Sequence, residues 1–150
     1  MMQSSQKNQK KRNKKVVNAT KITFEGIDFK SKTELRVYQK LYSLGYHPLY
    51  EPDTFIIWRG SFRPSKIWYI DGEPQVTKKN KTLLVGDWHY TPDFKISKDN
   101  KIIYIEVKGK PNDVYPYKRK LFLKYIDSLP NVYFAEIHSV KGLLDFLSKI

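Results

Sequence analysis

Residues Tyr90–Gly109 read YTPDFKISKDNKIIYIEVKG. An alternating stretch Asp93–Ser97, a polar Asp99-Asn100 pair and an apolar run Ile102–Lys108 spell a β-hairpin. With Asp99-Asn100 as a two-residue loop, Lys98 pairs with Lys101 and the numbers of every opposed pair sum to 199. Asp93 then falls opposite Glu106. Directly opposed residues have Cβ atoms roughly 4.5–5.5 Å apart, and like charges there repel. A fold gains nothing from facing two carboxylates unless something cationic lies between them. Strand alternation points Lys108 to the same face as Glu106. Two acids and an amine converging at one end of a hairpin are the layout of a divalent-metal site for phosphodiester hydrolysis. An ordinary amphipathic hairpin with solvated charges leaves the opposed acids unexplained.

The rest of the composition narrows the setting. A chain of 150 residues with 40% hydrophobic and 15% aromatic residues is expected to fold as about one domain with a proper core. It has no cysteine, which excludes disulfides and thiolate metal sites, and His47, His89 and His138 show no zinc-ligand spacing. No run of 18 apolar residues and no signal peptide is visible, so a soluble, unsecreted, cytoplasmic protein with no membrane partner is expected. The formal net charge of +13 favours a polyanionic partner.

The charge is uneven. Residues 1–19 carry Lys7, Lys10, Lys11, Arg12, Lys14 and Lys15 and no acid. This polar segment reads as a disordered basic tail, either a phosphate-contacting arm or a solvated leader, ahead of a domain over 20–150. Lys21–Phe29 suggests a short hairpin around Gly26. Ser31-Lys32-Thr33-Glu34 opens a helix with Leu35, Tyr38 and Leu41 or Tyr42 on its apolar stripe and Gly45 as its stop. Ser31 followed three residues later by Glu34 is also a capping box. Strands are expected at Tyr46–Tyr50, Thr54–Trp58, Ile67–Ile70 and Thr82–Val85, with turns at Glu51-Pro52 and Asp71-Gly72. Arg59, Arg63 and Lys66 interleave with Trp58, Phe62 and Trp68, as a nucleic-acid face or as core aromatics beside surface cations. Asp87 is a possible supporting acid, whereas His89 reads as packed or surface-exposed. A helix with Pro116 in its first turn ends by Pro130, with Lys118, Leu121, Phe122, Tyr125 and Leu129 on one face and Arg119 and Lys120 pointing away. Val132–Ile137 is an apolar strand, and Ser139 caps a last helix, Val140–Lys149. The fold expected is α/β, in the order helix, three-strand meander, helix, strand, helix.

Pro92-Asp93, twelve intervening residues and Glu106-Val107-Lys108, with FKSKTE upstream and YPYKRKLF downstream, resemble the signature of the PD-(D/E)XK nucleases. The short form of the chain is similar to their phage-type branch, related to Holliday-junction resolvases. The resemblance spans roughly residues 22–137, and its specificity lies in the order of the elements. It implies a restriction-endonuclease-like core (αβββαβ, a mixed central sheet flanked by helices) with an inserted β region. It further implies a Mg²⁺-dependent DNA endonuclease, with Mn²⁺ as substitute, acting as a homodimer on duplex or branched DNA in the host cytoplasm. Asp93 and Glu106 are then the metal ligands, with the Val107 carbonyl and Glu34 as further candidates. Lys108 is the catalytic amine, Lys118 the additional basic residue and Glu51 a weak candidate beside its reading as a turn acid. The competing class is a non-catalytic DNA-binding protein on the same fold. Hard oxygen donors without Cys or His suit Mg²⁺ or Mn²⁺.

Overall fold

A computed structural model describes residues 21–61 and 85–150. The basic tail, the expected strand Ile67–Ile70 with its Asp71-Gly72 turn, all but the last residue of Thr82–Val85, and Phe62, Arg63, Lys66 and Trp68 lie outside the described residues.

Two hairpins form where sequence pattern and turn chemistry agree. β1 (Ile22–Phe24) and β2 (Ile27–Phe29) turn through Glu25-Gly26, both left-handed at φ 50° and 78°. β6 (Phe94–Lys98) and β7 (Lys101–Val107) turn through Asp99-Asn100, at φ 50° and 62°. Two consecutive left-handed residues make the turn whose twist matches the flanking strands, and Asp and Asn adopt that conformation more readily than other side chains. The register is the expected one, from Lys98↔Lys101 to Phe94↔Ile105.

Helix α1 (Lys32–Ser43) starts at Ser31, whose Oγ accepts the Glu34 amide at 3.2 Å. It stops at Gly45, left-handed at φ 82°, where the Gly45 amide reaches Tyr42 O and the Tyr46 amide reaches Leu41 O. This paired closure satisfies carbonyls left open by the helix end. β3 is only Leu49–Tyr50, and β4 (Phe55–Trp58) pairs with β5 (Trp88–Tyr90) as a separate ribbon. α2 (Tyr115–Ile126) leads to β8 (Val132–Ile137), and α3 (Val140–Leu147) follows.

The central sheet is mixed, in the order β3-β6-β7-β8. β3, β6 and β7 are antiparallel neighbours, and β8 returns parallel to β7 after α2. The expected meander is therefore present, with the β4–β5 ribbon inserted between its first two strands. One face is covered by α1, α3 and the β1–β2 hairpin, around Phe29, Val37, Leu41, Phe94, Ile103, Ile105 and Leu143. The other is covered by α2 and the ribbon, around Tyr90, Tyr104, Tyr115, Phe122 and Ile126. With both faces covered, β7 is buried throughout Ile103–Val107, which is why it reads as an apolar run rather than an alternation. Each large side chain so buried contributes about 1.5–3 kcal/mol.

Two expectations need correction. The inward face of α2 is led by Tyr115, Phe122 and Ile126, with the expected Leu121 and, just past the helix, Leu129 packed against them, whereas Lys118 is only half-buried and Tyr125 is exposed. Tyr115 packs under the sheet and sets the helix rotation, so Arg119, one turn on, faces β8 rather than away from it. α3 ends at Leu147 rather than Lys149, and of the leucines Leu143, Leu144 and Leu147, expected from their spacing to pack back on the domain, Leu143 is fully buried but Leu144 is exposed.

Candidate active site

The sheet register lines up four acidic residues in one row, Glu106 and Glu136 within β7 and β8, and Glu51 and Asp93 one residue outside β3 and β6, Glu51 with a left-handed backbone at φ 44°. Tyr50↔Phe94 carried one residue further sets Glu51 beside Asp93, and the Glu51 amide donates to Asp93 O at 2.8 Å. Phe94↔Ile105 carried one residue further sets Asp93 beside Glu106. The parallel pairing of β7 and β8 sets Glu106 beside Glu136. The inner two acids differ from the outer two in burial. Asp93 is 8% exposed and Glu106 6%.

Asp93 Oδ2 accepts the Val107 amide at 2.7 Å. Among the described residues no hydrogen bond is made to its Oδ1. Burial is the largest influence on this carboxyl and the Glu106 charge the next. Together they push its pKa up to about 8, against the opposing pull of the Val107 amide and Lys108. Glu106 is also raised, again mainly by burial, although Lys108 and Tyr90 work against the rise. Its Oε1 accepts Lys108 Nζ at 3.1 Å and its Oε2 accepts the Tyr90 hydroxyl at 2.8 Å. Two unit charges about 5 Å apart repel by about 3 kcal/mol at an effective dielectric constant of 20. One ammonium bonded to only one of the two acids offsets part of that cost.

Lys108 is held from two sides. Besides Glu106, its ammonium lies 3.9 Å from the centroid of the Tyr115 ring. Tyr115 is buried, and its hydroxyl donates to Glu136 Oε2 at 2.7 Å. Arg119 Nη1 donates to the same oxygen at 2.7 Å, and His138 Nε2 lies 3.4 Å from Glu136 Oε1. Burial raises the Glu136 carboxyl, but the Arg119 and Tyr115 hydrogen bonds outweigh it and hold the pKa below the ordinary value. His138 Nδ1 also contacts Lys108 O at 2.7 Å, which ties β8 to the end of β7.

Glu34 belongs to the helix cap and lies close enough to Asp93 for its charge to be felt there. It is buried, and its Oε1 accepts the Ser31 hydroxyl at 2.8 Å. Its Oε2 accepts the Lys30 amide at 3.1 Å and the Tyr50 hydroxyl at 2.7 Å. The cap is therefore closed onto Lys30 rather than the Ser31 amide. The charge of Glu34 also reaches Asp93, adding to the rise of that carboxyl.

Of the residues expected at the site, the structure brings together Asp93, Glu106, Val107 and Lys108, with Glu34 close enough to act on Asp93. Lys118 makes no ion pair among the described residues, whereas its neighbour Arg119 pairs with Glu136. Glu51 is paired with Lys30. Asp87 serves the ribbon instead, accepting the Gly60 amide at 2.8 Å and the Ser61 hydroxyl at 2.9 Å. Tyr90, Tyr115, Arg119 and Glu136 were missed. The Glu106↔Glu136 register leads to the last three and depends on how β8 docks, while Tyr90 reaches the site from β5 through Glu106.

Among the described residues, no three His, Asp or Glu side chains are grouped tightly enough to enclose a cation unaided. The donor set still fits Mg²⁺, which binds through one or two carboxylates together with waters and substrate phosphates rather than a full protein cage. Two buried acids, one with an oxygen open, supply that pair. No family model, curated protein or solved structure matches the chain. No helix among the described residues is long and apolar enough to cross a membrane.

Proposed function

We propose that the chain is a Mg²⁺-dependent endodeoxyribonuclease, with Mn²⁺ able to substitute, and that Asp93 and Glu106 hold the cation, with the Val107 carbonyl as a further donor. The observation that carries this reading is the burial of two facing carboxylates of which, among the described residues, only Glu106 bonds an ammonium, that of Lys108. Such a pair is costly in the folded chain by itself and favourable once a divalent charge is added. When bound, the cation polarises the scissile phosphate and lowers the pKa of a coordinated water.

The chain's own residues supply the rest. Glu106 and the Tyr115 ring fix the Lys108 ammonium beside the acids, where it orients the attacking water or offsets charge developing on the phosphate. Tyr90 holds the second oxygen of Glu106, so the carboxylate keeps one orientation. Glu34 strengthens the negative field at Asp93 without leaving its cap. The net charge of +13 favours DNA as the polyanion. Branched DNA and a symmetric dimer follow from the resemblance to resolvase-like nucleases.

Labelled four-way junction, duplex and single-stranded DNA, each incubated with Mg²⁺ or with EDTA, test the reading. Cleavage of at least one substrate in Mg²⁺ and none in EDTA is expected. Binding without cleavage in either condition would instead support a non-catalytic DNA-binding protein.

A further inference from the structure

The two ends of the carboxylate row carry the cations that the central pair does not use. Lys30 pairs with Glu51 at one end, and Arg119 pairs with Glu136 at the other. Both reach into solvent: the Lys30 side chain is 61% exposed and that of Arg119 38%, against 22% for Lys108. Lys108 is confined between Glu106 and the Tyr115 ring. Arg119 spends Nη1 on Glu136 and keeps most of its five N–H donors, a fork suited to phosphate oxygens. Lys30 spends one ammonium donor on Glu51 and keeps two.

We propose that Lys30 and Arg119 bind the phosphates on either side of the scissile one, so that one DNA strand runs along the row Glu51–Asp93–Glu106–Glu136, across the β-strands. This rests on Asp93 and Glu106 being the metal pair. Neighbouring strands lie about 4.8 Å apart, so the row spans about 14 Å with the inner acids at its centre. That leaves room for one phosphate at the centre and one on each side. The outer acids have a definite part in this. Each neutralises and aims its cation, so neither presents a free negative charge to the DNA. Lys30 is placed on the Asp93 side of the row by its partner Glu51, whose amide donates to Asp93 O at 2.8 Å, and by its own amide, which donates to Glu34 Oε2 at 3.1 Å. Arg119 borders the central pair on the other side through Glu136 and Tyr115.

The test is DNA affinity as a function of salt, measured in EDTA by fluorescence anisotropy on the full chain carrying Asp93→Asn. Lys30→Gln and Arg119→Gln are each added to it, alone and with the partner change Glu51→Gln or Glu136→Gln. Each cation variant is expected to weaken binding and to flatten the slope of log K against log[salt] by about 0.7–0.9, the value for one neutralised phosphate. Lys124→Gln, the same charge change far along α2, is expected to leave the slope as it is. The paired variants decide between phosphate binding and a purely internal role. If the cations bind phosphate, removing their acids does not restore affinity. Recovery of the parent slope in both paired variants would overturn the proposal. An unchanged slope in the single variants would overturn it as well, while leaving Mg²⁺-dependent cleavage by the unmodified chain, and so the metal pair, standing. Flattened slopes together with no cleavage by the unmodified chain would overturn the placing of these phosphates around a scissile one.

Discussion

Asp93 faces Glu106 across the hairpin yet gives its Oδ2 to the amide of the next residue, Val107, at 2.7 Å. The bond fixes the carboxylate at the open end of β6 and β7 and leaves its other oxygen without a hydrogen bond among the described residues. An asparagine there can accept the same hydrogen bond without the charge.

Asp93→Asn is therefore expected to stabilise the metal-free protein in a pH-dependent way. The folded carboxyl titrates at about 8, and an unfolded aspartate at about 3.9. Between those values the folded chain holds more protons than the unfolded one, so wild-type stability falls as pH rises, by at most about 1.4 kcal/mol per unit for this group. Denaturation in EDTA at pH 5 and pH 8.5 should show the variant's advantage growing with pH. An advantage that does not change with pH contradicts the burial-driven shift.

Glu34→Gln separates cap from charge. Glutamine can accept from the Lys30 amide and the Tyr50 hydroxyl through one atom and donate to Ser31 Oγ through the other. Stability is expected to stay within about 1 kcal/mol of wild type, while cleavage at limiting Mg²⁺ falls and is partly rescued by more Mg²⁺ or by Mn²⁺. Ser31→Ala should do the reverse, costing about 0.5–2 kcal/mol and sparing the chemistry. Wild-type cleavage by Glu34→Gln at limiting Mg²⁺ would leave Glu34 a cap alone.

Tyr115 gives Lys108 its platform through the ring and reaches Glu136 through the hydroxyl. Tyr115→Phe keeps the ring and should retain most cleavage. Tyr115→Leu removes the cation–π interaction, worth about 0.5–2 kcal/mol, and should slow single-turnover cleavage by about 2- to 30-fold. In a Lys108→Ala background the same change should have little further effect. Equal losses in both backgrounds would show that the ring acts only through packing.

The hairpin, its register and the opposed acids were legible because they are set locally, by turn residues and a period of two. Glu34 was legible for the same reason: Ser31 and Glu34 lie within one helical turn. What could not be read is set at long range. Arg119 was expected to point outward because helical spacing defines faces but not which face docks, and Tyr115 and Phe122 decide that only once the sheet exists. Glu136 joins the row through the parallel pairing of β7 and β8, whose register depends on how α2 packs. Lys30, just before a cap, gave no sign of lying beside Glu51, twenty-one residues on.

The six cations of residues 1–15 test whether the tail binds DNA. Their deletion should weaken affinity and flatten the salt dependence by about 0.9 for each phosphate that the chain no longer neutralises. An identical slope would make the segment a bystander.

The central claim is that the buried pair exists to hold a divalent cation for cleavage. Single-turnover cleavage of labelled DNA in Mg²⁺, comparing the unmodified chain with Asp93→Asn and Glu106→Gln, tests it most directly. Both variants should still bind the DNA, and each should lose at least about a hundredfold in rate, the scale expected when a principal electrostatic group is removed. Cleavage by either variant at the wild-type rate, or wild-type cleavage that persists undiminished in EDTA, would contradict it.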